Sequence, residues 1–399
     1  MIHSEKERFE ARIPELDGIR GAAILIVVFV HFFEIPHGNW LANTGSAIWS
    51  FGWSGVDLFF VLSGFLIGGI LMDNRYAPNY FRTFYIRRVC RIFPLYYVWL
   101  ALFYFLPFFL PPDFLGSALT PGTSHFPKPG YVLFLQNFYS TSVNDFDSSW
   151  MGATWSLAVE EQFYLLLPAV LWFALPRKPI RTLIVLIALV PVIRVLLFLY
   201  YSSFFIKVLL PCRADSLLIG VLFAYLLRQK SARDWLANNV KALHVALFVM
   251  SLGIAYLISL GYGYNAMKVV NSFEMTTYGF TLVALAYACV LVIAVVDKTS
   301  LIARVLRIPL MRHFGSIAYG MFLIHTAIRE IMLRLILGSP TEATALSRNL
   351  VALAAFFATW LVAILSWHFF EKPIVRWGHS FRYGPAKKLP DEMLLQKAQ

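Results

Sequence analysis

Arg20 and His31 stand eleven residues apart in the apolar run LDGIRGAAILIVVFVHFF, with no other charged residue between them. On a helix that spacing is about three turns and about 16 Å of rise, so the two side chains share one face. A guanidinium there can stabilise phosphate or developing negative charge, and an imidazole can take a proton or act as a nucleophile. Ionisable groups on a membrane-length apolar segment are costly and tend to mark working sites. Snorkelling of Arg20 and an interior hydrogen bond to His31 would account for the same pattern.

Two further groups of residues could join them. In TWSLAVEEQFYLLLP, Ser156 and Glu160 are i,i+4 and Tyr164 extends the same side, giving a hydroxyl, a carboxylate and a phenol on one helical stripe. Glu160 is at a depth suited to pair with His31, fixing the imidazole tautomer and raising its basicity. The plainer alternative makes Ser156 a helix cap and leaves Glu160, or its neighbour Glu161, at the interface. In NYFRTFYIRRVCRIFPLYY, Arg82, Arg87, Arg88 and Arg91 gather in a loop expected at 73–91, and helical spacing puts the last three on one face. Guanidinium forks match phosphate oxygens, so a polyphosphate ligand such as coenzyme A or a nucleotide is expected; positive-inside anchoring is the alternative. Arg213 and Asp215 read as a mutual ion pair or as more cavity wall, and His325 as a cavity residue or a helix–helix hydrogen bond. Glu371, before Pro373, reads as a helix terminator.

The elements carrying these residues are membrane spans. Of 399 residues, 59% are hydrophobic and 14% charged, against about 25% charged in soluble domains. Aromatics reach 17%, as suits lipid-facing surfaces and interfacial belts. Apolar runs at 17–36, 49–72, 92–111, 154–175, 180–200, 211–227, 242–261, 273–296, 313–337 and 350–370 predict an all-α, polytopic transmembrane bundle of about ten spans. Most of the 34 Lys and Arg fall in alternate loops, which places both termini in the cytoplasm and explains the net charge of +12 without nucleic acid. The charged N-terminus carries no signal peptide pattern. One domain is expected over 1–375, followed by a basic cytoplasmic tail over 376–399. The outer loop 112–153, rich in Pro and aromatics, is either an acceptor-binding cap or an interfacial segment, with a short helix near YVLFLQNFY. Cys90, Cys212 and Cys289 are too scattered for a disulfide framework or a metal cluster.

Together these segments resemble the membrane acyltransferase-3 family, the group that includes bacterial O-antigen and exopolysaccharide O-acetyltransferases. The resemblance rests on IPELDGIRGAAILIVVFVHF, SGVDLFFVLSGFLI, FYIRRVCRIFPLYY, WSLAVEEQFYLLLP, RADSLLIG, YGMFLIH and FFEKP, found in that order along the whole chain. It implies an integral protein of the bacterial inner membrane that moves an acyl group, typically acetyl, from cytoplasmic acyl-CoA to a hydroxyl of an envelope polysaccharide or other glycan, with no metal. Under it, Arg20 and His31 match the family's arginine–histidine pair, Arg88 and Arg91 its R-x-x-R, and Ser156 and Glu160 its S-x-x-x-E. Some relatives add a span and an extracytoplasmic esterase-like domain; neither pattern occurs here. The rival reading is a secondary transporter or a flippase for a sugar or lipid-linked sugar, which would also use intramembrane His, Arg and Glu. The two halves of the chain show no internal repeat, which counts against it.

Overall fold

The computed structural model describes residues 13–35, 40–109, 128–146, 148, 150–173, 179–201, 207–260, 270, 272–338 and 342–385. Among them there is no strand, and each of the ten expected segments is a helix. These are α1 (Pro14–Phe32), α2 (Gly55–Asp73), α3 (Tyr80–Phe105), α4 (Trp155–Phe173), α5 (Pro179–Tyr200), α6 (Leu210–Leu226), α7 (Val240–Leu260), α8 (Phe280–Val296), α9 (Pro309–Leu337) and α10 (Ala345–Ser366).

Six described helices are long and apolar enough to cross a membrane: Asn43–Asp73, Tyr80–Phe108, Pro179–Tyr200, Val240–Leu260, Met275–Val296 and Ala345–Ser380. A seventh is added if α6 and the helix Lys230–Asn238, bent from it by 101°, count as one. The long helices outside this set are α1, α4 and α9. They carry the ionisable residues Asp17 and Arg20, Glu160 and Glu161, and Arg329 and Glu330, which lower their mean hydropathy. The number six therefore falls short of the expected ten at the helices that hold the candidate chemistry.

Two helix pairs form the centre by close backbone approach. α1 packs along α9 where Gly21 faces the Met311 carbonyl and Gly315 faces that of Asp17; a Cβ added at either would lie 1.9 Å from the oxygen. α2 packs along α6 in the same way, through Gly64 and Gly220. Without hydrophobic drive between helices in lipid, such small-residue contacts supply dispersion over a long interface. No rotamer relieves a clash with backbone, so Gly315→Val is expected to cost at least about 3 kcal/mol. A thermal melt of the purified variant that matched the wild type would contradict this packing.

The arginine-rich segment is not a loop. α3 begins at Tyr80, twelve residues before the expected span, because YFRTFYIRRV already has helical periodicity and continues unbroken into the apolar run. The C-terminal helix Lys372–Ser380 crosses the expected boundary at 375 and packs back against α3. Residues 112–127, 147 and 149 of the outer loop, and 386–399 of the tail, lie outside the described residues. The expected short helix near 131–139 occurs as two pieces, Lys128–Val132 and Gln136–Val143, separated at Phe134, whose φ is 55°. Its ring stacks on Tyr96 at 4.4 Å and its carbonyl accepts from Gln162 Nε2 at 2.9 Å, contacts that hold a bulky residue in a left-handed conformation.

Candidate active site

A cavity of about 570 Å³ opens between α1, α2, α3, α4, α9 and the C-terminal helix. Arg20, Arg88, Arg91, Ser156, Glu160 and Tyr164 all line it, and Asp17, Ser63, Ser316, Tyr319, Trp367 and His379 contribute further polar or aromatic wall. Arg20 comes from the second turn of α1, where its Nη1 donates to Asp17 Oδ1 at 3.1 Å. The two are i,i+3 and stack on one face, a local pairing that keeps the guanidinium directed at the cavity.

The α4 stripe folds as its spacing requires. Tyr164 donates to Glu160 Oε2 at 3.0 Å, and its hydroxyl also meets Ser63 Oγ of α2 in a short contact. Arg88 lies over the Tyr164 ring at 5.8 Å, and the charges of Arg88 and Arg20 both act on the Glu160 carboxylate. Of the two adjacent glutamates it is Glu160 that lines the cavity; Glu161 lies outside its lining. Ser156 is not a cap. Its hydroxyl donates back to the Ala153 carbonyl at 3.3 Å, whereas a cap would accept from an N–H.

The four arginines of α3 divide. Arg88 and Arg91 line the cavity, with Arg91 over the Trp367 ring at 5.2 Å. Arg87 instead donates through Nε to the Phe381 carbonyl at 2.9 Å and lies over the Tyr383 ring, and Arg82 is exposed. Arg87 and Arg88 are one residue apart and therefore about 100° apart around the helix. Each flanks the direction of Arg91, and one of them faces the C-terminal segment.

His31 and Glu160 are not paired. His31 lies in the last turn of α1, accessible yet enclosed by protein, and does not line the described cavity. Its Nδ1 lies 2.7 Å from the Val27 carbonyl, which can only accept, so Nδ1 carries the hydrogen and Nε2 keeps the lone pair. His325, fully buried, donates from its own Nδ1 to Phe322 O at 2.7 Å and places its Nε2 3.4 Å from His31 Nδ1. The two rings meet edge to face at 5.1 Å. Phe322 touches both regions: it lines the cavity, packs on Phe59 at 6.3 Å, and lies 6.0 Å from His325. An aromatic layer thus lies between the arginine-lined cavity and the histidine pair.

Beyond His31, Glu34 receives Arg348 at 2.8 Å and Arg329 at 3.3 Å, while its backbone exchanges two 2.9 Å hydrogen bonds with Asn349. This clamp ties the end of α1 to α9 and α10. Sequence reasoning missed it, along with Ser63 and His379, because each residue is unremarkable in its own segment. Asp17, three residues before Arg20 in LDGIR, was visible as an i,i+3 partner.

Arg213 and Asp215 neither pair with each other nor line the cavity. Arg213 Nη2 meets Asp57 Oδ1 of α2 at 2.8 Å, and Asp215 Oδ2 meets Arg194 Nη1 of α5 at 2.8 Å, all four side chains being buried. Residues at i,i+2 point about 200° apart on a helix, so a mutual pair was geometrically closed to them. Asp57 and Arg194, lone charges in apolar runs, were the signal that partners were needed.

A family model described as an acyltransferase domain matches residues 13–368. The chain is 27% identical over 384 residues to the peptidoglycan O-acetyltransferase OatA of Listeria monocytogenes, covering 91% of this chain and 56% of the relative. It is 26% identical to the O-acetyltransferase OatA of Staphylococcus aureus, covering 94% and 59%. To the putative peptidoglycan O-acetyltransferase YrhL of Bacillus subtilis it is 27% identical, covering 92% and 56%. The chain thus spans somewhat over half the length of these relatives, and no solved structure matches it. With the family match spanning α1 to α10, the chain belongs to the acyltransferase-3 family.

Proposed function

We propose that the protein is an integral-membrane O-acyltransferase of the bacterial cytoplasmic membrane, moving an acetyl group from acetyl-CoA to a hydroxyl of a cell-envelope glycan. The observation that carries this reading is the cavity itself, in which Arg20, Arg88 and Arg91 converge beside Glu160 and Tyr164 on one wall. Three guanidinium groups facing one hollow suit the phosphates of a nucleotide-linked donor. The family and the peptidoglycan O-acetyltransferases among the relatives support acetyl transfer to an envelope glycan over transport.

In this reading α1, α4 and α9 also span the bilayer, making ten crossings with both termini cytoplasmic. Their ionisable residues are sheltered from lipid, because polar lining is tolerated around a cavity. The helix Lys230–Asn238 supports the assignment: turned 101° from α6, with Trp235 exposed, it suits a position along the cytoplasmic surface. The donor phosphates rest on Arg88 and Arg91, and the acyl arm passes the Phe59 and Phe322 layer toward His31. His31 Nε2 takes the proton of the acceptor hydroxyl as the oxygen attacks the thioester carbon. The carbon–sulfur bond breaks and the proton returns to the leaving thiolate. Tyr164 holds Glu160 in place, and Arg88 and Arg20 balance its charge across the cavity.

The test is acetyl transfer by purified protein from labelled acetyl-CoA to a soluble glycan fragment, with no sealed membrane. Arg88→Ala and Arg91→Ala are each expected to raise the donor KM about tenfold to a hundredfold, the worth of one charge-assisted hydrogen bond or two. Consumption of acetyl-CoA that did not depend on either arginine would overturn the assignment of this cavity to the donor. Mass spectrometry of envelope glycans with and without the protein identifies the acceptor.

A further inference from the structure

The family match ends at residue 368, inside the π-helical turn Trp367–Glu371, but the cavity wall continues beyond it. Val375 and His379 line the cavity from the C-terminal helix. At i,i+4 they share one side of that helix.

That helix is fastened to α3, which carries Arg88 and Arg91, along its whole length. At its start Glu371 is buried, accepts from Ser366 Oγ at 3.1 Å, and lies in the field of Arg91. Near its end Gly378 lies against Cys90, close enough that an added Cβ would sit 2.7 Å from the cysteine Cβ. Past its end, Arg87 holds the Phe381 carbonyl, and Asn79 both donates to Arg382 O at 2.9 Å and accepts from Gly384 N–H at 2.7 Å.

The placement of His379 is set by these contacts. It is exposed at the cavity, within the fields of Arg87, Arg88 and Arg91. An imbalance of cations around a ring that can donate a hydrogen bond is favourable once an anion arrives. His379 is at the rim, whereas the acyl end of a donor points inward toward His31. The group that reaches the rim is the one farthest from the thioester.

We propose that His379 is a donor-contacting residue that binds the phosphate remote from the acyl group, the 3′-phosphate of coenzyme A, and that the segment Lys372–Pro385 is the platform holding it. This rests on the reading of the cavity as an acyl-CoA site. Coenzyme A and dephospho-coenzyme A distinguish the two claims, titrated calorimetrically into the purified full-length protein. The wild type is expected to prefer coenzyme A. His379→Ala should weaken coenzyme A about tenfold, the size of one hydrogen bond to a charged group, leave dephospho-coenzyme A unchanged, and so abolish the preference. His379→Gln, which keeps an N–H donor, should recover part of it. Asn79→Ala, which touches no cavity residue, should weaken coenzyme A in the same direction by loosening the platform.

Equal losses for both ligands in His379→Ala would make the residue structural and overturn the phosphate contact. Unchanged affinity for coenzyme A in His379→Ala would overturn the inference alone and leave the cavity as a donor site. No effect of Asn79→Ala would remove the platform. A wild type that bound neither ligand would sink the donor reading and this one together.

Discussion

Under the proposed mechanism, replacing His31 by alanine is expected to lower acetyl transfer by about 10²- to 10⁴-fold, the usual worth of a positioned general base, while the protein stays folded. The ring's Nδ1 is spent on the Val27 carbonyl within its own helix, so Nε2 carries the lone pair available for chemistry. Losing that intrahelical bond costs little, because the end of α1 is held independently by the clamp of Glu34 with Arg329, Arg348 and Asn349. His31→Gln retains a donor for Val27 but offers no base of comparable strength, and should fall as far as alanine. Single-turnover transfer from labelled acetyl-CoA, read beside a thermal melt, separates lost chemistry from lost structure. A folded alanine variant that transferred at close to the wild-type rate would place the proton elsewhere.

The sequence made the helices legible because lipid demands long apolar runs, and all ten expected segments are helical with boundaries mostly shifted by a few residues. The exception, α3, shows the limit of the rule. Arginines at Arg82 to Arg91 interrupt hydropathy but not helical propensity, so an apolar window begins the helix too late. The site was legible where partners are close in sequence: Glu160 with Tyr164 follows from i,i+4 spacing alone. It was illegible where a partner lies on another helix. His31 and Glu160 were matched by depth, yet the residues of α1 that share the cavity with Glu160 are Asp17 and Arg20, and His31 meets His325 instead. Depth along a span ranks candidates, but the rotation of each helix about its axis decides between them, and close glycine contacts such as Gly315 against Asp17 set that rotation.

Breaking the Arg194 and Asp215 pair should destabilise the protein strongly, although neither residue lines the cavity. Arg194 is fully buried, with Nη1 on Asp215 Oδ2 at 2.8 Å, a bond to the Cys212 carbonyl at 3.2 Å, and Nη2 reaching the Thr277 carbonyl and the Thr281 hydroxyl. Asp215 also accepts from Thr281 Oγ1 at 2.6 Å and from the Ser216 amide at 3.0 Å. Ser216 Oγ in turn donates to Asp57 Oδ1 at 3.0 Å, where Arg213 also binds, so the network joins α5, α6, α8 and α2. Arg194→Met leaves the carboxylate buried with hydroxyl and amide partners but no countercharge, which should cost about 3–5 kcal/mol. Asp215→Leu strands the arginine and should cost a similar amount. The double variant Arg194→Met/Asp215→Leu removes both charges together and should recover most of the loss, since a buried pair gains little over well-packed apolar residues. That non-additivity, measured by thermal unfolding of the four purified proteins, is the signature of a direct pair. Additive losses would mean that each residue is held by its other hydrogen bonds and that the pair itself contributes nothing. Because Asp57 anchors the start of α2, whose Phe59, Phe60 and Ser63 line the cavity, transfer activity in the single variants should fall with stability and return in the double.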